Sequence, residues 1–218
     1  MLIPLSKAER NRLLPKVCTG PQFSACWGSP QVLLQRVMIS AIGSVISLLI
    51  GQAFGFATPG GSFWLMVGLV FGLTCLWAPV AVAAQRNGRL RCFAHTALVM
   101  AQVDHLFTEE RVAERREDVN AKGRLELVES RRLWLNLELV DEDGFLGTLS
   151  FPLEKKHQRI GPGDTICCLA MANRRDFSPV MAFSDAWLPQ QDLWVGPYPH
   201  LRRDLLVSLY RRQLAASP

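Results

Sequence analysis

Residues Val37 to Gln85 read VMISAIGSVISLLIGQAFGFATPGGSFWLMVGLVFGLTCLWAPVAVAAQ, 49 residues without one Asp, Glu, Lys or Arg. Arg36 and Arg86 close the run at its two ends, and only Thr58-Pro59-Gly60-Gly61-Ser62 interrupts its apolar character. A hydrocarbon core of about 30 Å takes about 20 residues of helix to cross. Two such lengths fit, Val37 to Phe56 and Phe63 to Ala84, joined by a turn too short to be a domain. The sequence therefore predicts a membrane-anchored α+β protein. Its expected parts are an N-terminal cytoplasmic segment (1–29), a transmembrane helical hairpin (30–86), a cytoplasmic β domain (87–199), and a C-terminal helix and tail (200–218).

The flanks set the orientation. Lys7, Arg10, Arg12, Lys16 and Arg36 precede the hairpin against the single acid Glu9, and Arg86, Arg89 and Arg91 follow it. The turn is uncharged. Positive residues near membrane ends stay on the cytoplasmic side, so both termini are expected in the cytoplasm, with Thr58 to Ser62 across the bilayer. The opening residues, Met1 to Val17, are polar and interrupted by Pro4 and Pro15, unlike a secretory signal.

The formal net charge of +5 is unevenly spread. Most of the excess precedes the hairpin, and the residues after it are nearly neutral. Such a domain is a poor counterion-releasing surface, which argues against nucleic acid. The excess fits contact with anionic headgroups of the lipid bilayer instead.

Catalytic and metal signals are weak. The cysteines at 18, 26, 75, 92, 167 and 168 form no C-x-x-C pair, and Cys92-Phe93-Ala94-His95 has no second pair to complete a zinc set. Cys167 and Cys168 are adjacent in an expected strand and should face opposite ways. Asp141-x-Asp143-Gly144 resembles the start of a calcium loop, but the twelfth position is Pro152. No phosphate-binding, dinucleotide, nucleophile-elbow or zincin motif occurs. No catalytic residue, metal or cofactor is expected.

Small residues mark the helices. Gly43, Ser47, Gly51 and Gly55 recur every fourth position on the first, and Gly68 and Gly72 repeat the spacing on the second. Small residues let helix backbones approach where lipid gives no hydrophobic drive. Two uses stay open: packing of the two helices on each other, or docking of a partner's transmembrane helix. No ionisable residue marks a transport path. Pro79 is expected to kink the end of the second helix.

Around the hairpin, Ser6-x-x-Glu9 is a capping box for a short helix ending before Pro15. Cys18 to Gly28 reads as an aromatic loop, and Ser29-Pro30 as the start of the first long helix. After Asn87 the pattern alternates: Leu133, Leu135, Leu137 and Leu139 against Trp134, Asn136 and Glu138. Strands are expected at Leu98–Phe107, Leu125–Val128, Leu133–Leu139, Phe145–Phe151, Thr165–Ala172 and Val180–Leu188, with turns at Asp141–Gly144 and Gly161–Asp164. That set implies a small antiparallel barrel, OB-like or SH3-like. Arg111 to Lys122 reads as an exposed charged loop or short helix, and the acidic cluster of Glu109, Glu110, Glu114, Glu117 and Asp118, interleaved with Arg111, Arg115 and Arg116, as a solvated face or a docking patch for a basic partner. Trp194 and Tyr198, within Gln190 to Pro199, are candidate partner-binding anchors, with burial against their own domain as the alternative. His200 to Leu214 reads as a helix.

The opening IPLSKAERNRLLPKVCTGPQ, the Trp77-Ala78-Pro79 closing the hairpin, and the late DLWVGPYPHLRRD resemble a two-transmembrane-helix membrane protein family of cyanobacteria and chloroplasts. Its members are sometimes labelled phosphate transporter permeases. The resemblance implies an integral protein of a thylakoid or plasma membrane and a supporting role around photosynthetic complexes. It carries over no catalytic residue. The expected function is a non-enzymatic, membrane-anchored accessory protein assisting assembly, stability or regulation of a larger membrane complex. The alternatives are an accessory subunit of a membrane transporter and a membrane-bound enzyme acting on a lipid-linked substrate.

Overall fold

The computed structural model describes residues 1–119 and 125–216, with the backbone alone for 113–119, 125–128 and 216. Lys122, Ser217 and Pro218 lie outside the described residues, as do the side chains of Glu114, Arg115, Arg116, Glu117 and Asp118. The chain forms two compact units. One combines Met1–Leu14 with Leu90–Pro218, and the other is Pro15–Arg89. The first fourteen residues, expected as part of a separate segment, thus belong with the β domain.

Within the first unit, β1 (Leu2–Pro4) leads into α1 (Lys7–Leu13). The expected capping box is present: Glu9 N–H donates to Ser6 Oγ at 3.2 Å and Ser6 N–H to Glu9 Oε2 at 3.1 Å.

The second unit holds α2 (Gly20–Trp27), α3 (Pro30–Phe54), α4 (Pro59–Gly72) and the first sixteen residues of α5 (Thr74–Arg91). The expected loop at Cys18–Gly28 is corrected to the helix α2. Pro21 lies in its first turn, Thr19 N–H donates to Gln22 Oε1 at 3.1 Å, and Gln22 and Cys26, four apart, are buried on one face. Ser29 caps α3 as its sequence implies, and Pro30 opens it. Of the described helices, α3 alone is long and apolar enough to cross a membrane. The second span, expected as one helix from Phe63 to Ala84, is two. The helices α4 and α5 are bent by 71° at Leu73, and only as a pair do they match a span. Pro79, expected to make the kink, lies inside α5.

The sheet is antiparallel throughout. Its strands are β2 (His95–Val119), β3 (Leu125–Val140), β4 (Leu146–Pro152), β5 (Thr165–Ala172), β6 (Ala182–Phe183), β7 (Ala186–Leu188) and β8 (Leu193–Val195), closed off by α6 (Arg203–Ala216). The order is β4-β3-β2-β5-β7-β8, with β1 added to β2 and β6 to β5. The expected barrel does not close: among the described residues β4 pairs with β3 alone. Strands β4 and β6 meet through side chains, since a Cβ on Gly147 would lie 2.7 Å from Phe183 Cζ. The Phe145 and Phe183 rings meet edge to face beside this open seam.

Three further expectations change. The charged stretch from Arg111 is strand, not loop or short helix. It pairs with β3 through Val119↔Leu125, so the separate strand at Leu125–Val128 merges with that at Leu133–Leu139. This outer ribbon has two strands only, because β4 reaches no further than Trp134 and β5 no further than Gln102. The expected strand Val180–Leu188 is two short strands parted by Ser184, whose N–H donates to Leu169 O at 3.0 Å. The last helix starts at Arg203, so Arg202 lies before it.

Both faces of β5 are covered. Ile166, Cys168, Ala170 and Ala172 pack with Val99, Leu137, Leu139 and Phe151. Cys167, Leu169 and Met171 pack with Leu13, Leu14, Leu201, Leu206 and Leu209 from the two flanking helices. The two cysteines face opposite ways, as the strand period requires.

Candidate functional site

In the helical unit the small residues face α4. A Cβ on Gly68 would lie 3.3 Å from Ser47 Cβ, and one on Gly72 3.3 Å from Ser44 Oγ. A Cβ on Gly51 would stand 3.3 Å from Trp64 Cβ, and one on Gly43 would run into the Phe71 ring. Gly55 ends α3 at φ 80°, a conformation that glycine accepts readily. Of the two uses the sequence left open, packing of α3 on α4 therefore occupies Gly43, Ser47, Gly51, Gly68 and Gly72.

The break between α4 and α5 is chemically complete. A helix end leaves carbonyls without intrahelical partners. Here Trp77 Nε1 donates to Val70 O at 2.9 Å, and Ser40 Oγ stands 2.8 Å from both Phe71 O and Gly72 O. Thr74 Oγ1 reaches Phe71 O at 2.6 Å. The turn at the far end is similar. Thr58 Oγ1 lies 3.0 Å from Phe54 O and 2.8 Å from Gly55 O, and it accepts Gly61 N–H at 3.1 Å.

All four formal charges of Pro15–Arg89 are positive: Lys16, Arg36, Arg86 and Arg89. They stand before or in the early turns of α3 and at the end of α5. The α3–α4 turn has none. Between them, Ile42, Val45, Ile46, Leu49, Phe54, Phe63, Met66, Leu69 and Leu76 are each more than half exposed or close to it. The Arg36 guanidinium donates to Cys26 O and Trp27 O, each at 2.9 Å, and so ties the end of α2 to α3.

In the β domain, a cleft of about 670 Å³ runs between the unpaired edge of β4 and the Phe177–Phe183 segment. Its rim exposes Leu146 and Met181. Trp194 is half-buried, stacked on Trp187 at 6.2 Å with the Arg203 guanidinium 4.9 Å from its ring centre. Tyr198 is buried. These two expected partner anchors therefore belong to the domain's own packing.

Two buried titratable groups escaped the sequence reading. Asp185, in the loop before β7, accepts Leu201 N–H at 2.9 Å, and burial raises its pKa to about 6. An acid between apolar strand residues was its only sequence signal. His157 accepts Glu154 N–H on Nδ1 at 3.1 Å and sits edge-on to Phe151. Burial, then the neighbouring Lys156, lower its pKa. Burial also pushes Cys167 up to about 12 and Cys168 well above the ordinary thiol range, so neither is a ready nucleophile. Among the described residues no group of three or more His, Cys, Asp or Glu is placed to hold a metal ion.

A protein-family model described as "Family of unknown function (DUF8619)" matches residues 3–215. The chain belongs to that family. The match spans residues of both units. No curated protein and no solved structure matches the chain.

Proposed function

We propose that this DUF8619 protein is a membrane-anchored accessory protein that binds a larger membrane complex and assists its assembly, stability or regulation. The observation that carries the anchoring is the charge layout of Pro15–Arg89: positive groups at one end of the α3–α4 pair and exposed apolar side chains along the rest. Water penalises that surface at about 25 cal/mol per Å² of apolar area, whereas lipid does not. The basic residues then sit at the headgroups of the cytoplasmic leaflet, which places both ends of the hairpin on that side. In this reading the hairpin is the anchor and the open-seamed β domain is the working part.

The binding element of the β domain is the edge of β4. An unpaired strand beside a cleft rimmed by Leu146 and Met181 receives an extended segment of another protein by adding it to the sheet. The chain acts by holding rather than by reacting.

Two measurements test this reading. The protein should float with liposomes and resist extraction at alkaline pH. In native membranes it should migrate with a complex larger than itself, and the pair Leu146→Lys with Met181→Lys should release it. Both side chains are more than half exposed, so the fold tolerates the change. A protein washed off by alkali, or a complex indifferent to both substitutions, refutes the corresponding half.

A further inference from the structure

Resting on the anchoring reading, we propose that α5 lies in the plane of the membrane just beneath the charged headgroups, and that the α3–α4 hairpin turns back inside the bilayer instead of crossing it. The partner of α5 is then the acyl-chain boundary of one leaflet.

Lengths argue first. The 14 residues of α4 extend about 21 Å. The apolar part of α5, Thr74 to Ala84, is about 16 Å long, but its 71° bend adds only about 5 Å along the axis of α4. This limb therefore reaches about 26 Å. The charge-free part of α3, Val37 to Phe54, reaches about 27 Å. Counted inward from Arg36, both limbs reach a few Å less than the roughly 30 Å of a hydrocarbon core, although α3 with its first turns included is long enough to cross.

Hydrogen bonding argues second. Broken backbone survives in lipid only where its polar groups are satisfied internally. The break at Leu73 meets that condition through Ser40, Thr74 and Trp77, and the distal turn meets it through Thr58. That turn also exposes Phe54, Phe56 and Phe63, a surface suited to lipid rather than to an aqueous compartment.

The near end supplies the third argument. Ser40 is one helical turn inside Arg36 and meets the α4–α5 break, so α5 begins about 6 Å below the level of Arg36. At that depth Trp77 is 46% exposed, in the zone where indole rings settle. The end of α5 is fixed to α2 through a buried pair of amides, Gln22 and Asn87, and α2 presents the paired rings of Phe23 and Trp27. Two short helices thus form one platform along the headgroup boundary, from which the α3–α4 hairpin descends.

The test uses the full chain in vesicles of phosphatidylcholine and phosphatidylglycerol, with Cys18, Cys75 and Cys92 replaced by Ser. A fluorophore is placed at Leu76→Cys or Phe56→Cys. At position 76 a lipid spin label near the headgroup should quench more strongly than one near the chain end. A continuous crossing would put residue 76 about 15 Å below Arg86, at the middle of the bilayer, and reverse that order. Cysteine at 56 should resist an impermeant maleimide applied to either face. Deep quenching at 76, or labelling at 56 from the far side, overturns the in-plane arrangement while leaving the anchor intact. Failure of the protein to float with the vesicles overturns the anchoring and this arrangement together.

Discussion

Gln22 and Asn87, 65 positions apart, exchange two side-chain hydrogen bonds at 3.1 and 2.9 Å while both are fully buried. Each amide satisfies the other, so the pair joins α2 to the end of α5 without a charge. Asn87→Leu removes both hydrogen bonds that Gln22 exchanges with Asn87, at a cost of about 2 kcal/mol. Adding Gln22→Leu should recover part of that loss, because both partners are then apolar. Thermal melts of the four combinations in mild detergent give the coupling directly. Additive effects would show that the pair contributes no joint stability.

Ser40 carries a second expectation. Its hydroxyl serves the carbonyls of Phe71 and Gly72 at the helix break. Ser40→Ala takes its donor from the Gly72 carbonyl, while Phe71 O keeps Thr74 Oγ1, and should destabilise the helical unit by about 1 kcal/mol. Hydrogen exchange at the backbone of 73–77 should rise in the variant, while exchange in β5 stays unchanged.

Gly61 packs against the turn that precedes it. A Cβ there would run into the Gly55 backbone and stand 2.9 Å from Phe56 Cα. Backbone cannot move aside as a flexible side chain does. Gly61→Ala should cost about 1–3 kcal/mol by overpacking, whereas Gly88→Ala, with open space around it, should be neutral or better. Equal melting temperatures for the two variants would contradict the close packing of Gly61 on the Gly55–Phe56 turn.

Asp185 makes stability depend on pH. Its folded pKa, about 6, lies above the ordinary 3.8, so the folded state favours the protonated form. That contribution is fully present below about pH 4 and is lost as the pH rises through about 6. Asp185→Asn keeps an acceptor for Leu201 N–H without a charge to bury. The variant should be more stable than the parent at pH 7.5, by up to about 3 kcal/mol, and the gap should close towards pH 4.

His157 acts in the opposite sense. Its pKa is lowered, so its contribution is present above the ordinary 6.5 and is lost as the pH falls below that value. His157→Asn, which offers an oxygen to Glu154 N–H, should flatten the acid side of the stability curve between pH 6.5 and 5. An unchanged acid slope would remove His157 as its source.

The first fourteen residues show what a sequence can carry by itself. Ser6 and Glu9 specify a helix start through atoms only three positions apart, and the structure forms that box with the expected partners. Ser29-Pro30 opens α3 for the same reason. Leu135, Leu137 and Leu139 also declare their face, because a half-buried strand repeats every second residue. The uncharged run from Val37 to Gln85 identifies the apolar unit through composition alone.

What needed the tertiary structure lies wherever a group's partner is distant in sequence. The break at Leu73 depends on Ser40, over thirty residues earlier, and Pro79 gave a plausible but incorrect local cause. Trp194 and Tyr198 could serve a partner or their own domain until Trp187 and Arg203 were placed beside the indole. Beside the open edge of β4 the Phe183 ring reaches Gly147, a contact between residues whose local patterns both read as ordinary strand. Asp185 titrates abnormally because three separate segments enclose it. Local periodicity and capping are fixed by neighbours within a few residues, so the sequence determined the capped starts of α1 and α3, the alternating strands and the apolar unit. Burial, seam closure and pKa depend on atoms brought together from far along the chain, and only folding decided those.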